Sequence, residues 1–167
     1  GYRAGYSNTS GKQNTFIGYT AGFSNTIGNY NVALGQAALY TNIDGDNNVA
    51  IGHQALYTTD PADGAGKNVA LGHAAGFANT TGVGNVFIGY EAGADATASN
   101  KLYISNATGT PLIGGDFSAG SVTINGDLEV SGNFTVEASN PTNIITQALK
   151  VESGDATLTT SYNRYLA

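Results

Sequence analysis

The amino-acid sequence predicts an all-β protein whose first part is a parallel β-solenoid, and three observations carry that prediction. The motif Asn-x-x-x-Gly occurs five times, at Asn14–Gly18, Asn31–Gly35, Asn48–Gly52, Asn68–Gly72 and Asn85–Gly89, with its glycines 17, 17, 20 and 17 residues apart. A unit this short has no room for a helix, and stacked short units bury one continuous core. Inside each motif the apolar residues alternate with period 2, the spacing of a strand. Charged residues make up only 11% of the chain while 41% is hydrophobic and strictly phased. That pairing does not suit a disordered segment.

Each coil reads in the same order. The run Gly1-Tyr2-Arg3-Ala4-Gly5-Tyr6 matches Gly18-Tyr19-Thr20-Ala21-Gly22-Phe23, so the chain opens inside a sixth copy and is expected to be a fragment or a processed product. Positions 15/17, 32/34, 49/51, 69/71 and 86/88 form one strand face, expected to fill the inside of the coil. Phe16, Ala33, Ala50, Ala70 and Phe87 form the other, expected to meet another chain. Gly ends the strand by permitting a turn that a Cβ would forbid. A second short segment follows, whose third residue is always Ala (Ala4, Ala21, Ala38, Ala55, Ala75, Ala92), which predicts a tight interior slot. The rest of the coil is an Asn- and Gly-rich loop suited to left-handed backbone. Asn14, Asn31, Asn48, Asn68 and Asn85 are expected to stack as an amide ladder. The three extra residues before Gly72 fall around Asp60-Pro61-Ala62-Asp63 and predict an outward bulge. At ~4.8 Å per level, six coils make a rod of ~29 Å.

The predicted organisation is a solenoid over residues 1–99, a β connector over 100–120, a triple-stranded β-helix over 121–137 and a further β-rich segment over 138–167, expected to be truncated. The connector reading places turns at Ala107-Thr108-Gly109 and near Gly114-Gly115-Asp116. From Val122 the apolar pairs Val122/Ile124, Leu128/Val130 and Phe134/Val136 recur every six residues. Six residues cannot close a coil around their own core, but three chains wound about one axis can. The expected inter-chain residues are therefore Phe16, Ala33, Ala50, Ala70, Phe87, Val122, Ile124, Leu128, Val130, Phe134 and Val136.

The repeat Asn-[Thr/Val]-[Ala/Phe]-[Ile/Leu]-Gly followed by x-x-Ala resembles the head repeat of trimeric adhesins of the YadA type. It resembles still more the Asn-Thr-Thr-Gly-rich repeats of bacteriophage tail fibres. The resemblance covers residues 1 to about 98, with coils longer than the usual adhesin-head coil. It implies a left-handed β-roll, side-by-side packing as a homotrimer, adjoining fibre segments as partners, and a place on a virion contacting a host cell-surface receptor or glycan. The alternatives are an extracellular self-assembling fibril and a bacterial trimeric surface adhesin.

Chemistry-bearing constellations are sparse. His53 and His73 fall at equivalent positions, in a column reading Tyr2, Tyr19, Gln36, His53, His73, Tyr90. They are weak candidates for a metal or anion site, and the favoured reading is a ladder of amphipathic side chains. Asp44, Asp46, Asp60 and Asp63 could offer oxygen ligands to Ca²⁺, but the calcium-binding Gly-Gly-x-Gly-x-Asp repeat is missing. Asn8, Asn79, Asn106 and Asn133 open glycosylation-type triplets of the sort that arise by chance in Asn/Thr-rich sequence. No catalytic constellation and no cofactor are expected. With a net charge of −6, no basic cluster and no long apolar run, neither nucleic acid nor membrane insertion is expected. There is no cysteine, so no disulfide framework supports the fold. An ice-binding solenoid would want a Thr array on one strand face, and only Thr15 supplies one. A polysaccharide-cleaving spike would want paired acids in a groove.

Overall fold

The computed structural model describes residues 1–62 and 64–132. Among them there is no helix, and eight strands lie in one sheet in sequence order. These are β1 (Thr15–Ile17), β2 (Val32–Leu34), β3 (Val49–Ile51), β4 (Val69–Leu71), β5 (Val86–Ile88), β6 (Lys101–Ile104), β7 (Ile113–Asp116) and β8 (Ser121–Ile124). Strands β1 to β6 pair in parallel, with each motif position over its counterpart: Phe16 opposite Ala33, Ala33 opposite Ala50, Ala50 opposite Ala70, Ala70 opposite Phe87. The chain is a β-solenoid with coils of about 17 residues. Residues 1–128 form one compact unit. Of the second, residues 129–132 are described and contain no strand. Phe134 and Val136, with the segment 138–167, lie outside the described residues.

The two strand faces are reversed relative to the sequence expectation. Ala33, Ala50, Ala70 and Phe87 are fully buried inside the coil with Phe16 packed against them, while Ile17, Leu34 and Leu71 are exposed on the outer side. The reason is the width of the coil. Across from the strand column stands a second column: Gly5, Gly22, Leu39, Leu56, Gly76, Gly93. Where the strand carries Phe, the facing positions are Gly: a Cβ on Gly22 would lie 2.5 Å from the Phe16 ring, and one on Gly93 would lie 2.3 Å from Phe87. Opposite Ala33 and Ala50, buried Leu39 and Leu56 reach across instead, while at the Ala70 level Gly76 leaves room for the side chains of Phe87 and Leu56 from the levels on either side. Each level holds about one large side chain, so a strand face with a β-branched or long aliphatic residue at two positions would overfill it. The Ala column Ala21, Ala38, Ala55, Ala75, Ala92 is fully buried, as the invariant slot predicts.

Glycine ends each strand for a steric reason. Gly35 has φ +135°, and a Cβ there would lie 2.5 Å from the carbonyl oxygen of Gly52 in the next coil. The second segment is a turn with alternating left-handed residues rather than a strand. Thr20, Ala37, Gln54, Ala74 and Glu91 share one coil position, all with φ between 50° and 56°. Such a conformation costs a non-glycine residue about 1–2 kcal/mol. It is held because the next N–H groups bond the neighbouring coil, as Gly22 N–H does to Ala38 O (2.9 Å) and Leu39 N–H to Ala55 O (2.9 Å).

The amide ladder forms. The Asn14 side-chain oxygen accepts from Asn31 N–H (2.8 Å), Asn31 from Asn48 N–H (2.9 Å), Asn48 from Asn68 N–H (3.2 Å) and Asn68 from Asn85 N–H (3.0 Å). A second ladder runs beside it through Asn8, Asn25 and Asn42, with Nδ2-to-Oδ1 bonds of 2.9 and 3.0 Å. The two converge: the carbonyl of Gly28 accepts from Asn14 and Asn25, that of Gly45 from Asn31 and Asn42, and that of Gly82 from Asn68 and Asn79. Among the described residues no buried side-chain nitrogen or oxygen lacks a partner.

The long coil keeps its register by local means. Asp60 still lies one 17-residue step from Ile43, whose N–H it accepts at 2.8 Å. By Gly66, bridged to Asp46, the offset is 20. The extra residues therefore fall between, with Pro61 buried and Ala62 and Gly64 exposed. Thr59 replaces the ladder Asn and donates to the Asn79 carbonyl (2.7 Å).

Parallel pairing extends through β6, so the solenoid's last strand falls inside the stretch read as connector. The connection from Ile104 to Ile113 is shorter than one coil, too short for a parallel return, and β7 and β8 pair antiparallel as a hairpin. Gly114-Gly115-Asp116, expected as a turn, belongs to β7; the turn is Phe117–Gly120. Val122 and Ile124 lie in β8, and Leu128 and Val130 follow it; all four are exposed within the single chain.

Candidate functional site: the outward aliphatic face and the ring ladders

The outer side of the sheet is an aliphatic surface along β2 to β5, continued on β1 by Ile17 beside exposed Thr15. Ile17 is 55% exposed and Leu34 42%, while Val32, Val49, Ile51, Val69, Val86 and Ile88 are half-buried by their own neighbours. Parallel in-register pairing sets each aliphatic side chain over the next, two columns wide. The residues assigned to an inter-chain surface from sequence on this strand, Phe16, Ala33, Ala50, Ala70 and Phe87, face the lumen instead and cannot reach another chain. Alternation revealed two faces but not which is inner. The signal that could have decided it is the pairing of Phe16 and Phe87 with facing Gly, and of Ala33 and Ala50 with facing Leu.

Two ladders of rings flank the turn. The first holds His53 stacked on His73 (ring centroids 5.0 Å, 17° between planes), His73 on Tyr90 (5.0 Å), and Tyr2 on Tyr19 (5.6 Å), with Gln36 between the two groups. The second, Tyr6-Phe23-Tyr40-Tyr57-Phe77, is continuous at 5.0–5.3 Å. The sequence marks the first column through its paired histidines, whereas the second carries only Tyr and Phe. Arg3 lies over both Tyr2 and Tyr6 (5.2 and 5.3 Å) at one end. At the other, a hydrogen bond from Tyr90 to the Glu91 carboxylate, with that group's charge, raises the Tyr90 pKa. His53 and His73 face each other as parallel plates, and among the described residues no third His, Asp or Glu joins them as a metal cluster.

The acidic loop residues serve the backbone. Asp46 accepts from the Asn29 N–H (2.6 Å) and side chain, and Asp60 caps Ile43 as described; Asp63 lies outside the described residues. Asn8 and Asn79 belong to the amide ladder and Asn79 is fully buried, which leaves no room there for a glycan. In the hairpin, Lys101 Nζ donates to Asp116 (2.6 Å). With the Ser118 hydroxyl and the Ala119 N–H, that bond holds the Asp116 carboxyl well below the usual carboxylate range.

Comparison of the chain with family models found no match, and comparisons with curated proteins and with solved structures found none either.

Proposed function

We propose that this chain is a structural segment of a homotrimeric fibre, packed side by side through its outward aliphatic face and serving attachment of a virion to a host surface. The observation that carries the reading is the row of Ile, Leu and Val on the solvent side of β1 to β5. Contiguous exposed apolar patches mark interaction surfaces, and this one repeats at every coil. A flat, self-similar row is best matched by other copies of itself about one axis. The exposed residues Val122, Ile124, Leu128 and Val130 extend the need for partners beyond the coils. The Asn-x-x-x-Gly repeat, similar to that of phage fibres and YadA-type adhesin heads, supports the assignment to a fibre.

A fibril grown end to end is the weaker reading. The parallel edge of β6 is occupied by antiparallel β7, so coil-on-coil growth at that end is blocked. Sedimentation equilibrium of the chain tests the proposal. A single species of three chains is expected, and a stable monomer at micromolar concentration would refute it.

A further inference from the structure

At one edge of the outer sheet face, Ile88, Gly89, Ile104, Ser105, Asn106 and Leu112 line a mainly apolar cavity of about 330 Å³. At the opposite edge stands Phe117, 53% exposed. We infer that Phe117 of one copy seats in this cavity of the next copy, locking the height at which neighbouring chains pack. The seat rests on the homotrimer reading and deepens it, since it states which edge of one chain meets which edge of another.

Strand register puts both features on the outer side. Tyr103 pairs with Phe87 and packs against the lumen residues, so its neighbours Leu102 and Ile104 alternate outward. Directly paired residues share a face, and Ile88, Ile104, Ile113 and Ile124 pair in succession across the change from parallel to antiparallel. Gly115 pairs with Leu102, so it too faces outward. Phe117 lies two residues further on, and its N–H still bonds the Asn100 carbonyl (2.8 Å). Alternation therefore carries Phe117 to the same side as the cavity. Its partner Asn100 precedes Ile104 by four residues, a span of ~13 Å along a strand. A phenyl side chain does not cover that distance, so no chain fills its own cavity with Phe117.

Symmetry supplies the plug. Rotation about an axis along the stack preserves height and sets the Phe117 edge of one copy against the cavity edge of the next. A two-fold axis across the stack would set like edges together and leave both features unmatched. Ile88 belongs both to the cavity and to the aliphatic face assigned above to neighbouring copies. No charged side chain lines the cavity, and the Ser105 hydroxyl already donates to the Ala107 carbonyl (2.9 Å). An apolar cavity of ~150 Å³ is enough for a benzene molecule, so a phenyl ring has room here. Among the described residues Phe117 is the one phenylalanine with more than half of its surface exposed. The turn that presents it is fixed in advance, because the Asp116 carboxylate accepts from the Ser118 N–H (2.9 Å) and the Ala119 N–H (3.1 Å). A preformed plug loses less freedom on docking than a mobile one.

The test places p-azidophenylalanine at position 117 of the full chain and irradiates a mixture of isotopically light and heavy copies after sedimentation equilibrium. Covalent products of two and three chains are expected, with the position-117 peptide of one isotope joined to a peptide holding Ile104 to Leu112 of the other. Without the photoreactive group, Phe117→Ala and Leu112→Asp should each raise the concentration of half-dissociation about tenfold or more, as for loss of a buried anchor. Both side chains are exposed in the single chain, so both variants should keep the β spectrum. A trimer whose cross-links are absent, or fall on residues 133–167 or on another position 117, overturns the seat and leaves the homotrimer reading standing. So does either variant associating like the parent. A monomeric parent overturns both.

Discussion

The coil stack and the hairpin that ends it are built from strands of similar length, yet they hold together differently. In the stack, levels repeat closely, so most backbone groups, amides and rings meet a counterpart one coil away. Its lumen is filled by side chains, with Ala33, Leu39, Ala50, Leu56, Ala70 and Phe87 fully buried. In the hairpin, β8 is exposed along its whole length, with Val122 at 67%, while antiparallel pairing with β6 and an ion pair between Lys101 and Asp116 tie β7 to the stack. Repetition thus supplies a core inside each coil without help from other chains. It does not cover the outer strand face or β8, and those are the surfaces the fibre reading assigns to neighbouring copies.

The largest expected effect is in the lumen. Phe87→Ala should cost about 3–5 kcal/mol, read as a lowered melting temperature of the β signal, because its flanking Gly76 and Gly93 offer nothing to refill the space. Conversely, Ala50→Phe should prevent folding alone and be rescued by Leu39→Gly with Leu56→Gly, which recreates the Phe-with-Gly level. Failure of that rescue would break the size-matching account. Next in size is the ladder. Asn48→Ala removes the acceptor for Asn68 N–H and Nδ2 and should cost about 1–3 kcal/mol by denaturant titration. Cost confined to a few tenths would mean the amides are replaceable by water.

The hairpin should respond to acid. The Asp116 pKa is depressed in the folded chain, so its contribution is fully present above the ordinary carboxylate pKa of about 4 and is lost as pH falls below it toward the folded value. Amide exchange at Ser118 and Ala119 should quicken over that fall, and Lys101→Met should move its onset to higher pH. Unchanged exchange would remove the ion pair from the account. The smallest effect is backbone strain. Gln54 has φ 56°, so Gln54→Gly should raise stability by up to about 1 kcal/mol, relief of strain being partly offset by a more flexible unfolded chain.

Much of this fold is legible in the sequence because the repeat carries it. The coil length, strand positions, Ala slot, first amide ladder and stacked histidines each need only counting, since parallel in-register pairing turns sequence distance into spatial adjacency. The inner face is less legible, because Val and Ile look like core residues wherever they stand. Only the pairing of Phe16 with Gly5 and Gly22, and of Phe87 with Gly76 and Gly93, marks the narrow lumen. The hairpin is hidden for a related reason: Gly114 and Gly115 read as a turn, yet they give β7 a strand that fits closely against Leu102 and Pro111.

The central claim is that Ala and Phe fill the lumen while Val, Ile and Leu form an inter-chain face, and Ile51 and Ala50 are adjacent residues on the two sides. Sedimentation equilibrium combined with circular dichroism on the parent, Ile51→Asp and Ala50→Asp separates them. A trimeric parent, an Ile51→Asp variant that dissociates to monomers while keeping its β spectrum, and an Ala50→Asp variant that loses that spectrum are the predicted results. A monomeric parent, or an Ile51→Asp variant that sediments like a trimeric parent, would contradict the account.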